Sequence, residues 1–291
     1  MRSAHWGVTG FSIFFALASL SLLLLQQSDQ KTLVWFANLA MGLSLIRRDR
    51  SEILTILVAA AMANLLVYQI FGSGWVTGAM TVPANVAEIL LVSLMARQDD
   101  NYVRAFHSTR RFTRALTMVC FIPVLIGSLI ATSVHYLSGG TNIEAYWLSQ
   151  ATGSLVGGVI IFGLGISLIR YRPSQVLKQI IEPTSLIFGS FSFMLTVVAL
   201  TSLPYPFIYI AAGLFLTGIL SNFVALSWAV LSNGVLVTLL LASGSHEPLV
   251  AVDHGPLFSG LLLYLPMLLA FAPPLILCAS IMTQRDSKLR L

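Results

Sequence analysis

The chain has 291 residues, of which 57% are hydrophobic and only 9% are charged. Soluble globular domains carry about 25% charged residues, so this composition excludes a soluble protein and indicates a polytopic membrane protein. The net charge of +5 does not indicate nucleic-acid binding, because the basic residues cluster in short segments between apolar runs, as membrane topology requires.

Ten apolar segments follow one another along the chain, and each is predicted to cross a membrane as a helix. They cover roughly residues 7–25, 32–46, 53–71, 79–96, 115–137, 146–169, 184–202, 205–220, 223–243 and 258–282. The first is long for a signal peptide and has no small residues at a cleavage site. The second is short, so we expect it either to cross the membrane with little tilt or to reach only part-way across. The eighth and ninth, separated by Ser221 and Asn222, are predicted as two spans or as broken helices that meet within the membrane.

The basic residues decide the predicted orientation of this all-α bundle. With a cytoplasmic N-terminus, all of the 16 Lys and Arg residues except Lys31 lie in cytoplasmic segments. The opposite loops instead hold four acidic residues, Asp29, Glu144, Glu247 and Asp253. Cytoplasmic loops of membrane proteins carry an excess of Lys and Arg, so both termini are predicted to be cytoplasmic.

Two longer loops carry clusters of polar residues. Gln98–Arg114 has arginines interleaved with Phe106 and Phe112. This pattern predicts contact with anionic lipid headgroups, with a protein-docking role as the alternative. Ser243–Leu257 has two histidines and two acidic residues, but their spacing matches no fixed metal site. We therefore predict no bound metal and expect any stimulus to act in or near the membrane.

Glu88 is the only acidic residue that falls inside a predicted span. A helical rise of about 1.5 Å per residue places it about 13–14 Å from Arg97, near the middle of a hydrocarbon core ~30 Å thick. Burying a carboxylate there costs several kcal/mol unless it is protonated, paired or solvated. Asn85 lies three positions earlier, so both side chains share one face of the helix.

Other polar or amphipathic side chains accompany these two in the predicted membrane region. They are Trp35 and Asn38 in the second span, Asn64 in the third, and Trp147 and Gln150 in the sixth. Such groups form either a polar clasp that holds four spans together or a pocket for a small polar ligand or a proton. Both interpretations predict that Glu88 faces the bundle interior.

The sequence offers no catalytic motif, because it has no phosphate loop, zinc-binding helix or nucleophile elbow. We therefore expect neither enzyme activity nor a cofactor. Gly153 and Gly157 form a Gly-x-x-x-Gly pair that permits close packing, within one chain or across a homodimer. Pro273 and Pro274 are expected to kink the last helix, which leads into the basic tail that contains Arg285.

Several motifs follow one another in a characteristic order along nearly the whole chain. They are Trp35; Arg47-Arg48; Asn64; Asn85-x-x-Glu88 with Arg97; Phe112; Pro123; Tyr146-Trp147 with Gly153; Leu203-Pro204-Tyr205-Pro206-Phe207; and Thr283-Gln284-Arg285-Asp286. In this order they resemble the first type of bacterial membrane-associated sensor domain, the MASE family, which has eight to ten membrane helices. The chain departs from that family at Ala37, where proline is frequent, and at Gln150 and Thr152, where an acidic residue is frequent.

The resemblance implies a sensory input domain of the bacterial inner membrane. Such domains precede histidine kinase, GGDEF or EAL domains and feed two-component or cyclic di-GMP signalling. Residues 1–283 would be the sensor domain and 284–291 a short basic tail without an output domain, so a signalling partner would be fused or separate. The alternative is a small-solute transporter that uses Glu88, and a membrane enzyme acting on lipid ranks last.

Overall fold

The computed structural model describes residues 2–27, 34–98, 108–243 and 256–288. These ranges contain eleven helices and no strand. The helices are α1 (Arg2–Gln27), α2 (Ala37–Ser44), α3 (Arg50–Ile70), α4 (Gly74–Gln98), α5 (Thr109–Leu137), α6 (Ile143–Arg170), α7 (Pro173–Ile180), α8 (Pro183–Ser202), α9 (Pro206–Leu220), α10 (Phe223–Ala242) and α11 (Pro256–Lys288).

Eight of these helices are long and apolar enough to cross a membrane: α1, α3, α4, α5, α6, α8, α10 and the part of α11 from Tyr264 to Gln284. The all-helical architecture is thereby confirmed for the described residues, and the eight apolar helices are consistent with a multi-pass membrane protein. The other two predicted spans correspond to shorter helices. α9 has 15 residues, and α2 has 8 residues, which rise only about 12 Å.

Contacts divide the chain into two compact units. The first comprises Met1–Gln98, Met118–Gly158 and His254–Leu261, and the second Asp99–Thr117, Val159–Asp253 and Leu262–Leu291. In the first unit α3 packs between α1 and α4, and α4 also contacts α2 and the second half of α5. The core between α1 and α3 includes Phe14, Ile56 and Ala60. In the second unit α8, α9 and α10 pack against one another, with the amphipathic α7 against α10.

Local sequence explains several helix ends. Asp49 and Glu52 form a capping box at the start of α3, which satisfies backbone N–H groups that the first turn leaves free. The side chain of Asn222 accepts a hydrogen bond from the backbone N–H of Ala225, so α10 begins directly after the two residues that separate it from α9. Tyr205 has a φ of 54°, and the left-handed turn there lets Pro206 begin α9.

Prolines and cysteines lie inside the helices as the sequence indicated. A π-helical turn, Thr117–Phe121, interrupts α5 just before Pro123, whose missing N–H disfavours regular α-helical bonding at that point. α11 continues through Pro273 and Pro274, and the kink expected there stays a prediction. Cys120 and Cys278 are both buried free thiols.

Three expectations concern residues outside the described part of the chain. The loop from Gln98 to Arg114 is described from Ser108 onward. There Phe112 is buried against Phe162 and Phe223, and Arg110 is exposed on the same helical turn. The loop from Ser243 to Leu257 falls almost entirely outside the described ranges, and so does the side chain of Arg285.

Candidate functional site

Four of the predicted polar residues meet in one hydrogen-bonded chain in the first unit. The side-chain amide of Asn38 on α2 donates to Glu88 Oε2 at 2.9 Å and to Asn85 Oδ1 at 3.0 Å. Asn85 donates in turn to Asn64 Oδ1 on α3 at 3.0 Å. Asn64 donates to Thr81 Oγ1 at 2.8 Å. We call these five residues the polar chain, which joins α2, α3 and α4.

The helical spacing of the α4 members places them on one face of that helix. Thr81, Asn85 and Glu88 follow one another at intervals of four and three residues on α4, so they share a face. Asn38 and Asn64 are each 1% exposed, and Glu88 is 5% exposed. Buried amides in hydrocarbon need partners, and here Asn38 and Asn85 each donate to the next amide while Asn64 donates to Thr81.

The surroundings of Glu88 are poor in positive charge. Its carboxyl accepts a hydrogen bond from Asn38, and no basic side chain in the described ranges forms an ion pair with it. Gly127 of α5 makes room for the carboxyl, because a Cβ there would lie 3.1 Å from Glu88 Oε2. An ionised carboxylate at this position would have one amide donor and no counter-ion, so the site stabilises negative charge weakly.

Three buried polar atoms of predicted site residues in the first unit have no partner among the described residues. They are Asn38 Oδ1 and the indole nitrogens of Trp35 and Trp147. An unpaired buried donor or acceptor costs about 1–3 kcal/mol, and an ordered water or a small polar ligand commonly satisfies such groups. The first unit therefore has both donors and an acceptor available for a small polar molecule.

The segment before α2 lies against the glycines of α6. Trp35 lies just before α2, and its backbone N–H donates to the carbonyl of Gly153 at 3.3 Å. A Cβ at Gly157 would lie 2.1 Å from the Trp35 carbonyl oxygen. Phe36 N–H donates to Ser21 Oγ of α1 at 3.3 Å. The Gly-x-x-x-Gly pair thus packs against non-helical backbone of the same chain.

α4 holds α2 at a second level, close to the end of both helices. The guanidinium of Arg97 donates to the carbonyl oxygens of Leu45 at 2.7 Å and Arg48 at 2.6 Å. These carbonyls lie at and just after the end of α2, where the Leu45 carbonyl also accepts the backbone N–H of Arg48 at 3.1 Å. Arg97 lies nine residues after Glu88, so the two attachments are about 13–14 Å apart along α4.

Not every predicted residue joins the polar chain. Gln150 makes no hydrogen bond within the described part of the chain, and the Trp147 indole is unpaired. Pro273, Pro274 and Arg285 belong to α11. The sequence interpretation missed Thr81, whose spacing of four and seven residues from Asn85 and Glu88 would have indicated it. It also missed the acceptors of Arg97, which are backbone carbonyls and leave no residue-type signal.

Arg97→Ala is expected to destabilise the protein by about 1–2 kcal/mol, because it removes two charge-assisted bonds to backbone carbonyls at the end of α2. The measurement is the unfolding free energy of the purified protein in lipid nanodiscs. Arg110→Ala is the matched control, since Arg110 is an exposed arginine without such bonds. Equal losses for both variants would mean that the two carbonyl bonds of Arg97 do not stabilise α2.

The chain matches no protein-family model, no curated protein and no solved structure. Within the described ranges there is also no group of three His, Cys, Asp or Glu residues placed to hold a metal ion.

Proposed function

We propose that this chain is an integral membrane input module of a bacterial signalling system. It passes a membrane or small-ligand stimulus to a cytoplasmic histidine kinase or cyclic di-GMP enzyme, fused or separate. The observation that carries the proposal is Glu88, a buried carboxyl that bonds to the amide of a short helix and has no paired cation in the described ranges. The resemblance to membrane-associated sensor domains supports the same function.

The two attachments of α2 suggest how a stimulus is converted into movement. The Glu88 carboxyl holds α2 at one level and the Arg97 guanidinium holds it at the other. Proton binding or ligand binding at Glu88 changes the first attachment and leaves the second in place, so α2 turns about its Arg97 end. A stimulus shifts such an equilibrium only as far as it interacts differently with the two states. Neutral and ionised carboxyl groups differ in this way, since only the neutral form donates a hydrogen bond.

The proposed topology counts α2 and α9 as membrane segments, which gives ten, with both termini in the cytoplasm of a bacterial inner membrane. The distribution of Lys and Arg supports it. α11 begins within the first unit and continues into the second. It carries Pro273, Pro274 and Arg285 toward the C-terminal tail, so it is the covalent route to an output.

A diguanylate cyclase domain fused after Leu291 tests this function in cells. Cellular cyclic di-GMP is expected to rise only if that terminus is cytoplasmic. Glu88→Gln retains size and an acceptor oxygen but cannot ionise, so it should change the output or its pH dependence by at least about fivefold, the usual lower size of allosteric coupling. The control Glu182→Gln alters an exposed carboxyl and should leave both unchanged. Identical output from wild type and Glu88→Gln at every pH would contradict a sensory role for Glu88.

One observation favours a transporter as the second candidate. α2 is only eight residues long and begins inside the second apolar run, and its Asn38 bonds to a buried acid. Broken helices and buried acids are typical of transporter binding sites. In proteoliposomes, solute-dependent proton uptake that Glu88→Gln abolishes would establish transport instead. A pH-sensitive dye in the lumen measures this flux.

A further inference from the structure

A groove of about 420 Å³ opens on the outer face of the second unit, between α8 and α10. Its lining combines small residues, such as Ser185 and Gly189, with the large apolar side chains of Phe193, Met194 and Trp228. Both helices are candidate membrane spans, so the open side of the groove faces hydrocarbon. Its volume falls in the range of about 300–1,000 Å³ that is usual for small-molecule sites.

The length of the groove corresponds to one leaflet of a bilayer. From Ser185 to Met194 it follows α8 for nine residues, about 13–14 Å, and half of the hydrocarbon core measures about 15 Å. It begins at Ile180, the last residue of the amphipathic α7. The exposed Lys178 of α7 and Arg172 just before it indicate the membrane surface. A neighbouring helix would need a contact strip across both leaflets, whereas an acyl chain of one lipid needs only this length.

Two details of the lining favour a lipid with a polar end. The indole of Trp228 is 45% exposed, and its N–H has no acceptor in the described part of the chain. Trp228 lies five residues into α10, within about 8 Å of the surface end of the groove. Hydrocarbon supplies no acceptor at that depth, but the ester groups of a phospholipid lie next to its acyl chains and do.

We propose that this groove holds one phospholipid. An acyl chain lies along Gly189 to Met194, an ester oxygen accepts the indole N–H of Trp228, and the phosphate faces Arg172 and Lys178. The segment from Arg170 to Glu182 holds three basic residues and one acidic residue, which complements an anionic headgroup. This lipid site is independent of the polar chain in the first unit and would be present in a sensor or a transporter.

Gly189 gives a direct way to fill the groove. A Cβ added there meets no atom within 4 Å, so a larger side chain would occupy the groove without disturbing the packing of the chain. The probe is phosphatidylglycerol with a diazirine near the end of one acyl chain, reconstituted with the full chain. Crosslinks mapped by peptide mass spectrometry are expected to concentrate on Phe193 and Met194. Gly189→Leu should lower that labelling roughly tenfold.

Several controls make the outcome decisive. Ala212→Leu places the same side chain on an exposed position of α9 outside the groove and should leave labelling unchanged. Gly189→Ala adds one methyl and should give an intermediate loss even if Gly189→Leu fails to fold. Trp228→Phe should lower labelling while keeping the aromatic ring. Crosslinks spread evenly over the outer faces of α8, α9 and α10, equal labelling in Gly189→Leu and Ala212→Leu, or crosslinks mainly between two copies of the chain would each overturn the proposal.

Discussion

Gly157→Ala is expected to prevent the first unit from folding normally, with a loss of about 3 kcal/mol or more. The added Cβ would lie 2.1 Å from the carbonyl oxygen of Trp35 and 2.6 Å from its carbonyl carbon. Both are backbone atoms, so no rotamer change relieves the clash. Displacing Trp35 would also break its bond to Gly153 and shift the start of α2. The measurements are the yield of monodisperse protein and its unfolding free energy in lipid nanodiscs.

Gly158→Ala is the matched control for this prediction. It lies next in the same helix, but its nearest neighbours are the Cβ and Sγ of Cys120 at 3.9 Å, an ordinary contact distance. Alanine is also the better helix former by up to about 1 kcal/mol, so the control should be neutral or slightly stabilising. If both variants lose stability equally, the close approach of Trp35 to Gly157 is not what makes glycine necessary.

Asn38→Ala is expected to cost about 1–3 kcal/mol of stability, because it leaves two acceptors, Asn85 Oδ1 and Glu88 Oε2, without their donor. Glu88→Gln should cost less than about 1 kcal/mol, since its amide oxygen can still accept from Asn38. Comparing the two variants separates the contribution of the hydrogen bond to stability from that of the charge. Unfolding free energies in nanodiscs give both values.

A double-mutant cycle checks that the loss arises from the Asn38–Glu88 contact. In a Glu88→Ala background, Asn38→Ala should cost clearly less than it does alone, because one of its two partners is already absent. Asn233→Ala, which removes a buried amide of the second unit that bonds to Ser192, should instead cost the same in both backgrounds. Additive losses for Asn38 and Glu88 would show that the two side chains do not stabilise each other.

The sequence allowed the membrane class and most helices to be predicted, because long apolar runs permit few structures other than helices in a bilayer. It also placed Asn85 and Glu88 on one helical face, where the structure has them. Helical periodicity is a local property, so such predictions need no knowledge of neighbouring helices. The division between α9 and α10 at Ser221 and Asn222 was similarly visible in the sequence.

What depended on distant packing could not be predicted. The helix in the second apolar run begins only at Ala37 and is eight residues long, and the backbone before it is bound through Trp35 to Gly153, more than a hundred residues away along the chain. The pattern Gly-x-x-x-Gly indicates that another segment packs closely against it, but not which conformation that segment has. The acceptors of Arg97 are backbone carbonyls, which every residue has. The groove over Gly189 likewise depends on how α8 and α10 pack.

The polar chain also has a consequence for how the protein enters the membrane. Asn64 on α3 bonds to Thr81 and Asn85 on α4, and the two helices are joined by only three residues, Phe71 to Ser73. If these helices leave the insertion machinery as a hairpin, their amides meet before either faces lipid alone. α2, too short to partition by itself, is then retained by the Asn38 bonds to α4. α4, which carries Glu88, would thus enter the bilayer with its polar side chains already hydrogen-bonded.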